Sequence, residues 1–396
     1  MRILFVSFYY LPDPSPSSFK ISGIVRELSS LIPPNGSIDI ITTRPNRYGD
    51  SLEAPEFEEN GLVRIHRIAC PAHQGNLVGH AKSFWHFATK AIQLAQRHQY
   101  DLIYATSSRL MTAALGAFLA RSQKTSFYLD IRDIFVDTIQ DAFPKPLVWA
   151  SKPFFSAIEK WSVQKAKRVN LVSEGFKDYF LKRYPHQSYT YLTNGIDDEF
   201  LKEDYGNNLP TQPSPPNPIQ VLYAGNIGEG QGLHRIIPDL ASRLDGQATF
   251  TIIGDGKYKN ALRETLESRH IQNVTLLNPM KREALIPFYQ QADVLFLHLN
   301  DYEAFKKSLP SKLFEYAVFG KPIWAGVSGY AAQFIRSELP NAQVFSPCNY
   351  EEAILALQNL LFQPTPRKEF IQKYTRKAIS QTIARDLLEL LQQKNS

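Results

Sequence analysis

The feature that most constrains this chain is a rhythm. Short runs rich in Ile, Val, Leu, Tyr and Phe alternate with longer segments of helical period. Ile3–Tyr9, Ile38–Thr42, Leu62–Ile68, Asp101–Thr106, Thr125–Leu129, Val169–Val172 and Tyr189–Leu192 read as strands. Phe19–Leu31, Ala81–Arg97, Met111–Arg121, Leu147–Lys167 and Gly175–Tyr184 read as helices. Uninterrupted apolar runs mark strands buried on both faces, and helices between them imply parallel sheet built from right-handed crossovers. The rhythm breaks once, at Glu203–Ile219, EDYGNNLPTQPSPPNPI, where five prolines and no helical period read as a linker. It then resumes with strands at Gln220–Ala224, Thr249–Ile253, Val274–Leu277, Val294–Leu297, Pro322–Ala325 and Gln343–Phe345. A chain of 396 residues exceeds what one hydrophobic core supports. The expected architecture is therefore α/β: two doubly wound domains, 1–202 and 219–366, facing across a cleft, with linker 203–218 and a terminal helix within 367–396. A ligand is expected at the carboxyl ends of the sheets.

Several function classes are excluded early. No apolar run approaches the ~18 residues that span a bilayer. The opening stretch Ile3–Leu11 stops at Pro12-Asp13-Pro14 and reads as a strand rather than a signal peptide. Cys70 and Cys348 stand far apart with neither zinc nor redox spacing, which suits a reducing cytoplasm. There is no Gly-x-Gly-x-x-Gly after the first strand, no Walker lysine, no His-Glu-x-x-His, no Asp-x-Asp and no Gly-x-Ser-x-Gly. No metal site is expected. A nucleic-acid partner is not expected either, since no recognition helix or basic aromatic sheet motif is present.

The net charge of +6 is concentrated locally. Lys145–Arg183 holds nine basic and three acidic residues, interleaved with Trp149, Phe154, Phe155 and Trp161. The segment reads either as a solvated helix face or as a contact for anionic headgroups or phosphates, without a span.

Three strand-to-helix junctions carry the candidate chemistry. Tyr223–Leu233, YAGNIGEGQGL, leads a strand into a turn with four glycines, which lets a backbone approach a phosphate. Ile253-Gly254-Asp255-Gly256-Lys257 does the same more briefly, as a ligand loop or a plain tight turn. Ser308–Pro322 reads as a helix with Pro310 and Ser311 at its start and Gly320 and Pro322 at its end. Lys312 and Glu315, three apart, share a face. They suit a nucleotide diphosphate, the cation to the phosphates and the carboxylate to sugar hydroxyls, or else an ordinary i,i+3 ion pair. Spacing alone does not choose.

Together with Asn194-Gly195-Ile196-Asp197, these motifs resemble the large retaining family of GT-B glycosyltransferases (glycosyltransferase family 4-like), in that family's order and spacing. Asp130-Ile131-Arg132-Asp133-Ile134-Phe135 is similar to the branch that includes fucosaminyl transferases of bacterial O-antigen and capsule synthesis. The resemblance implies two Rossmann-like domains, a nucleotide diphosphate sugar (UDP-linked, with an N-acetylated deoxyhexosamine in the finer branch) on the second domain, a glycan or lipid-linked acceptor on the first, and no required cofactor or metal. It implies that Gly225, Asn226, Gln231, Gly254, Asp255, Gly256, Pro279, Lys281, Pro310, Ser311, Leu313 and Glu315 meet the donor. It also implies that the last helix crosses back to the first domain, and that the work is done in the cytoplasm, at or near the inner face of the membrane.

The chain departs from the family pattern at defined positions. Asn226 and Gln231 stand where an arginine and a lysine usually neutralise the donor diphosphate. Lys307 replaces the first of two glutamates, of which Glu315 is the second. Ser17 and Ser18 replace a Gly-Gly turn, with Lys20 just beyond. No first-domain histidine is evident, so Asp130 or Asp133 is the candidate for its place, with Arg132 as partner or phosphate contact. Charge stabilisation then falls to Lys312, Lys306 or Lys307. The Asp130–Asp133 run reads equally as a buried ion network at a strand end. Beside transfer stand two other readings: an epimerase or phosphorylase of the same fold, and a sugar-nucleotide-binding partner protein without transfer activity.

Overall fold

Strand β1 (Arg2–Val6) is flanked by two parallel neighbours, β2 (Ser37–Thr43) and β5 (Leu102–Thr106), with Phe5 opposite both Ile40 and Tyr104. The computed structural model describes residues 1–13, 15–45, 53–71, 77–107, 109–134, 145–202 and 217–395. Outward from this centre the sheet adds β4 (Val63–Ile68) and β3 (Phe57–Asn60) on one side, and β6 (Ser126–Ile131), β7 (Arg168–Leu171) and β8 (Tyr189–Thr190) on the other. The eight strands run in the order β3-β4-β2-β1-β5-β6-β7-β8. All pairs are parallel except β3–β4. That strand is a departure from the all-parallel expectation: FEEN at an edge has only one residue that is not exposed, so no apolar run announces it.

Successive residues of β1 point to opposite faces, and both faces are covered. Leu4, Val6, Ile103, Ala105 and Leu129 pack with the helices Leu77–Ala95 and Leu110–Gln123. Ile3, Phe5, Ile38, Ile40, Tyr104 and Tyr128 pack beneath the helices Pro16–Leu31 and Arg376–Asn395. In the last helix Ile379, Ile383, Leu387, Leu390 and Leu391 make the buried stripe. It lies close to the first helix, since a Cβ on Gly23 would come 2.6 Å from Ser380 Oγ.

The second sheet is wholly parallel among the described residues. Its order is β11 (Val274–Leu277), β10 (Ala248–Ile253), β9 (Ile219–Ala224), β12 (Val294–His298), β13 (Ile323–Gly326) and β14 (Ala342–Phe345). Its two faces carry separate apolar layers, one around Leu222, Leu295, Phe314 and Phe319, the other around Val221, Phe250, Phe296 and Trp324. Both units are thus Rossmann-like α/β layers.

The first unit is Met1–Gly195 with Arg376–Ser396, and the second is Ile196–Thr375. The division therefore falls within Asn194–Asp197 rather than after residue 202, and 203–216 of the proline-rich run lies outside the described residues. The far end is also divided later than 366/367. The helix Lys368–Tyr374 packs Phe370 and Tyr374 into the second unit, and only Arg376 onward belongs to the first. Among the described residues no helix is long and apolar enough to cross a membrane.

Candidate active site

In the second unit the two glycine turns lie against each other at the carboxyl ends of β9 and β10. Gly225 N donates to Ile253 O (2.9 Å), Ile227 N to Asp255 O (2.8 Å) and Tyr258 N to Ile227 O (3.0 Å). Side chains would not fit between them: a Cβ on Gly254 would lie 1.8 Å from Gly225 O, and one on Gly256 2.5 Å from Ile227 O. The second turn is further held by Lys259, whose buried ammonium donates to Gly254 O (2.8 Å), Leu277 O (3.0 Å) and Asn278 Oδ1 (3.0 Å). Nothing in the spacing marked this lysine. Asp255 accepts from Gly256 N at 2.8 Å and is exposed.

Asn226 and Gln231 face each other: the Asn226 amide donates to Gln231 Oε1 at 2.7 Å. One hydrogen bond thus links the two amides across the first turn. Pro279 and Lys281 are exposed just beyond β11, on the far side of the second turn.

The helix Lys312–Val318 begins one residue past Ser311, which sits in helical backbone conformation and makes no capping bond through its side chain. This corrects the expectation of cap chemistry at Ser311; turn bonds from Leu313 N to Pro310 O and from Phe314 N to Ser311 O, each 3.1 Å, start the helix instead. Leu313 is buried and anchors it. On the first turn Lys312 Nζ lies 2.6 Å from Glu315 Oε2, and the lysine and glutamate side chains are 24% and 11% exposed. Burial pulls the Lys312 pKa down, but Glu315, Tyr316 and Tyr223 more than offset this and leave it raised. Both readings of this pair are therefore compatible with one geometry: it is an ion pair, and it is reachable. Lys306, which with Lys307 adds two further cations to the segment, pairs with Glu303 at 2.6 Å and lies 3.7 Å from Asp301.

In the first unit the predicted residues divide. Asp130, at the end of β6, is 1% exposed. Its Oδ1 accepts from Lys20 Nζ (2.8 Å) and Asn170 Nδ2 (2.6 Å), and Arg132 Nη1 stands 3.6 Å from its Oδ2. Leu192 O accepts from both Lys20 and Asn170 at 2.9 Å. Burial alone would raise the Asp130 pKa; Lys20 and Arg132 reverse this and hold it below the usual carboxylate value. Burial draws Lys20 down to about 8 despite Asp130 beside it. Asp133, three residues on, is exposed at the surface, yet desolvation of its carboxyl raises its pKa to about 6, against the lowering effect of Arg132. Asn170 and Leu192, from β7 and the segment after β8, carried no motif and were missed.

Ser17 and Ser18 do not lie in an open loop. The helix starts at Pro16, and Ser15 caps it, accepting from Ser18 N at 3.1 Å. The Ser17 and Ser18 hydroxyls, 3.0 and 2.6 Å from Ser15 Oγ, and Lys20 are all buried. Ser-Pro before a helical run was the signal available for this start. No group of three or more His, Cys, Asp or Glu side chains suited to a metal ion occurs among the described residues.

The helix Lys145–Lys165 is one-sided. Its Glu159 points inward, accepting from Tyr179 Oη and Tyr184 Oη at 3.0 Å each. Lys152, Phe154, Lys160 and Lys165 are exposed, Phe154 to 60%.

Comparison with known proteins extends these observations. Residues 35–195 match the model of the glycosyl transferase 4-like domain, and residues 206–377 match that of the glycosyl transferases group 1. A stretch of 100 residues is 35% identical to the putative colanic acid biosynthesis glycosyl transferase WcaI of Escherichia coli (strain K12), covering 25% of this chain and 24% of that relative. The chain thus spans about a quarter of the length of the curated relative it matches. Among solved structures it is similar to sucrose-phosphate synthase from Thermosynechococcus elongatus (TM-score 0.71, 14% identity, 98% of each chain). It is likewise similar to HepE of Anabaena in complex with UDP and glucose (TM-score 0.66, 15% identity, 98% of this chain and 100% of that one). At such identities the likeness speaks for the two-domain GT-B fold.

Proposed function

We propose that this chain, whose residues 206–377 match the glycosyl transferases group 1 and whose residues 35–195 match the glycosyl transferase 4-like domain, moves a glycosyl group from a UDP-linked donor to a hydroxyl of a glycan or lipid-linked acceptor, with retention of anomeric configuration. The observation that carries this reading is the reachable Lys312–Glu315 pair, 2.6 Å apart, in the unit that also holds the two interlocked glycine turns. A bound nucleotide diphosphate splits that pair: Lys312 turns to the diphosphate and Glu315 accepts from the ribose. Backbone at Gly225, Gly254 and Gly256 permits close approach, with Asp255, Pro279 and Lys281 flanking the base. Pro310, Ser311 and Leu313 set the start of the Lys312 helix.

In the transfer the bond from the sugar's anomeric carbon to the diphosphate breaks, a bond to the acceptor oxygen forms, and the acceptor proton leaves with the departing phosphate or through Asp133. Charge gathers on the leaving diphosphate, where each preorganised donor is typically worth about 2.7–4 kcal/mol. Lys312 meets that charge, with the Asn226 and Gln231 amides in place of two cations. Asp133 is the exposed carboxylate of its run and suits the acceptor; Asp130, Lys20 and Arg132 hold the strand end behind it. No metal takes part in this scheme. The HepE structure, described as a complex with UDP and glucose, supports the choice of UDP.

The outward face of Lys145–Lys165, cationic with a protruding Phe154, suits the headgroups around a lipid-linked acceptor. Salt-sensitive flotation with anionic liposomes supports that contact; none in low salt removes it. The activity itself is tested by calorimetry with UDP and GDP in EDTA and in magnesium, followed by UDP release from a panel of UDP-sugars. Metal-independent micromolar UDP binding with release from one donor is expected. Binding without release from any donor leaves a sugar-nucleotide-binding partner protein, the reading that the self-paired Asn226 and Gln231 amides favour.

A further inference from the structure

The donor reading leaves one carboxylate of the first glycine turn without a task. Glu229 opens the short 3-10 turn Glu229–Gln231. Its Oε1 accepts from the Tyr302 hydroxyl, from Arg235 Nη2 at 2.7 Å and, more weakly, from Asn300 Nδ2 at 3.4 Å. The Tyr258 phenol pairs with the same carboxylate, which raises that phenol's pKa. Asn300 Nδ2 also donates to Glu229 O at 3.0 Å, and Asn300 N to Gly230 O at 2.8 Å.

Asn300 and Tyr302 belong to the connection between β12 and the Lys312 helix, the segment in which Lys306 and Lys307 lie. Its middle packs on the turn: a Cβ on Gly230 would meet the Phe305 ring at 2.8 Å. Its far end lies on Gly329, where a Cβ would come 2.1 Å from Lys306 O. A second tie fixes the turn from behind. Cys348 N donates to His298 Nε2 (2.9 Å), so Nδ1 carries the proton and donates to Gln231 O at 2.6 Å. Burial pushes His298 down to about 4, so this tautomer persists at neutral pH. Glycine turn and connection therefore form one braced body, with the Glu229 carboxylate as its charged centre. Bonds to an ionised acceptor are roughly twice as strong as neutral ones.

We propose that Glu229 is a positioning residue: by holding the 300–307 connection on the glycine turn it fixes the segment that leads into the Lys312 helix of the donor site, without itself touching the nucleotide. The inference rests on the donor reading above. Glu229→Ala removes the brace, Glu229→Gln keeps an acceptor but not the charge, and Tyr302→Phe removes one donor from it. Three measurements decide: calorimetric affinity for UDP, the rate of UDP release from the UDP-sugar that the unaltered protein uses, and hydrogen–deuterium exchange of residues 299–308.

In Glu229→Ala, UDP affinity should stay within about twofold while kcat falls about 10- to 100-fold, since misplacement by about 1 Å costs on the order of 100-fold. Exchange in 299–308 should quicken and that of 248–256 should not. Glu229→Gln, which keeps an acceptor without the charge, should recover part of both losses. Unchanged kcat and exchange in Glu229→Ala overturn the proposal, as does UDP affinity falling in step with kcat, which would make Glu229 a nucleotide contact. Should Glu229→Ala not fold, Tyr302→Phe carries the same expectations at smaller size, and its unchanged exchange overturns the brace. A protein that neither binds UDP nor releases it fails the donor reading instead, and the exchange data then judge the brace alone.

Discussion

Each unit contains a lysine–carboxylate pair of nearly the same length, 2.8 Å for Lys20–Asp130 and 2.6 Å for Lys312–Glu315. The first joins residues far apart in sequence, is 1% exposed on both sides, and shares its carboxylate with Asn170 and Arg132. The second joins neighbours on one helical turn, has beside it only a long contact from Lys312 Nζ to Tyr289 Oη at 3.5 Å, and keeps 24% of its lysine side chain in contact with solvent although Glu315 is buried. A buried pair with extra partners cannot open without stranding a charge. A local, reachable pair opens at little cost and can exchange its partner for a ligand. Distance alone does not separate a structural ion pair from a binding one; burial and the number of further partners do.

The largest effect should come from stranding the buried charge. Lys20→Met should lower stability by about 3–5 kcal/mol, read by denaturant unfolding, and Lys20→Met with Asp130→Leu should recover much of that loss. A single variant as stable as the parent would mean that the network is not structural. Lys312→Ala should show the opposite profile. Its stability should change by only about 0.2–0.5 kcal/mol, while UDP release slows by the equivalent of about 2.7–4 kcal/mol; near-normal release would remove Lys312 from the donor site.

His298 tests burial without a charged partner. Its pKa falls from 6.5 to about 4 on burial, so the unfolded chain binds the extra proton between those values. Its contribution is complete above pH 6.5 and is lost as pH falls through about 4, on the order of 3 kcal/mol in all. Stability-against-pH curves of the parent and His298→Asn should differ in slope across that window only. The smallest effect belongs to the exposed amide pair: Asn226→Ala should weaken UDP by about 1 kcal/mol in calorimetry and leave the unfolding midpoint in place.

The fold was largely readable because strands buried on both faces must be written as apolar runs, as β1, β5, β12 and β13 are. Phe57–Asn60 was not readable, since an edge strand with polar, exposed residues has no periodic signal. The glycine turns were visible because close backbone approach leaves few alternatives to glycine. The seam between the units was misplaced for a related reason: prolines are conspicuous, whereas Gly195 and Arg376, which meet where a Cβ would lie 2.9 Å from Arg376 Cα, are joined only by folding. Glu229 likewise lies 71 and 73 positions from Asn300 and Tyr302, with no motif to join them. Tertiary placement alone assembles them, as it does Lys20, Asp130 and Asn170.

The discontinuous first unit has a consequence for its manufacture. The helix Arg376–Asn395, which covers Phe5, Tyr104 and Tyr128, leaves the ribosome only after Ile196–Thr375 has been made. At about 5–20 residues per second that interval is on the order of 10–40 s. For that time the apolar face of the nascent first unit has only the helix Pro16–Leu31 to cover it, while the second unit has every strand it needs. The unit that starts first is therefore the last to be finished.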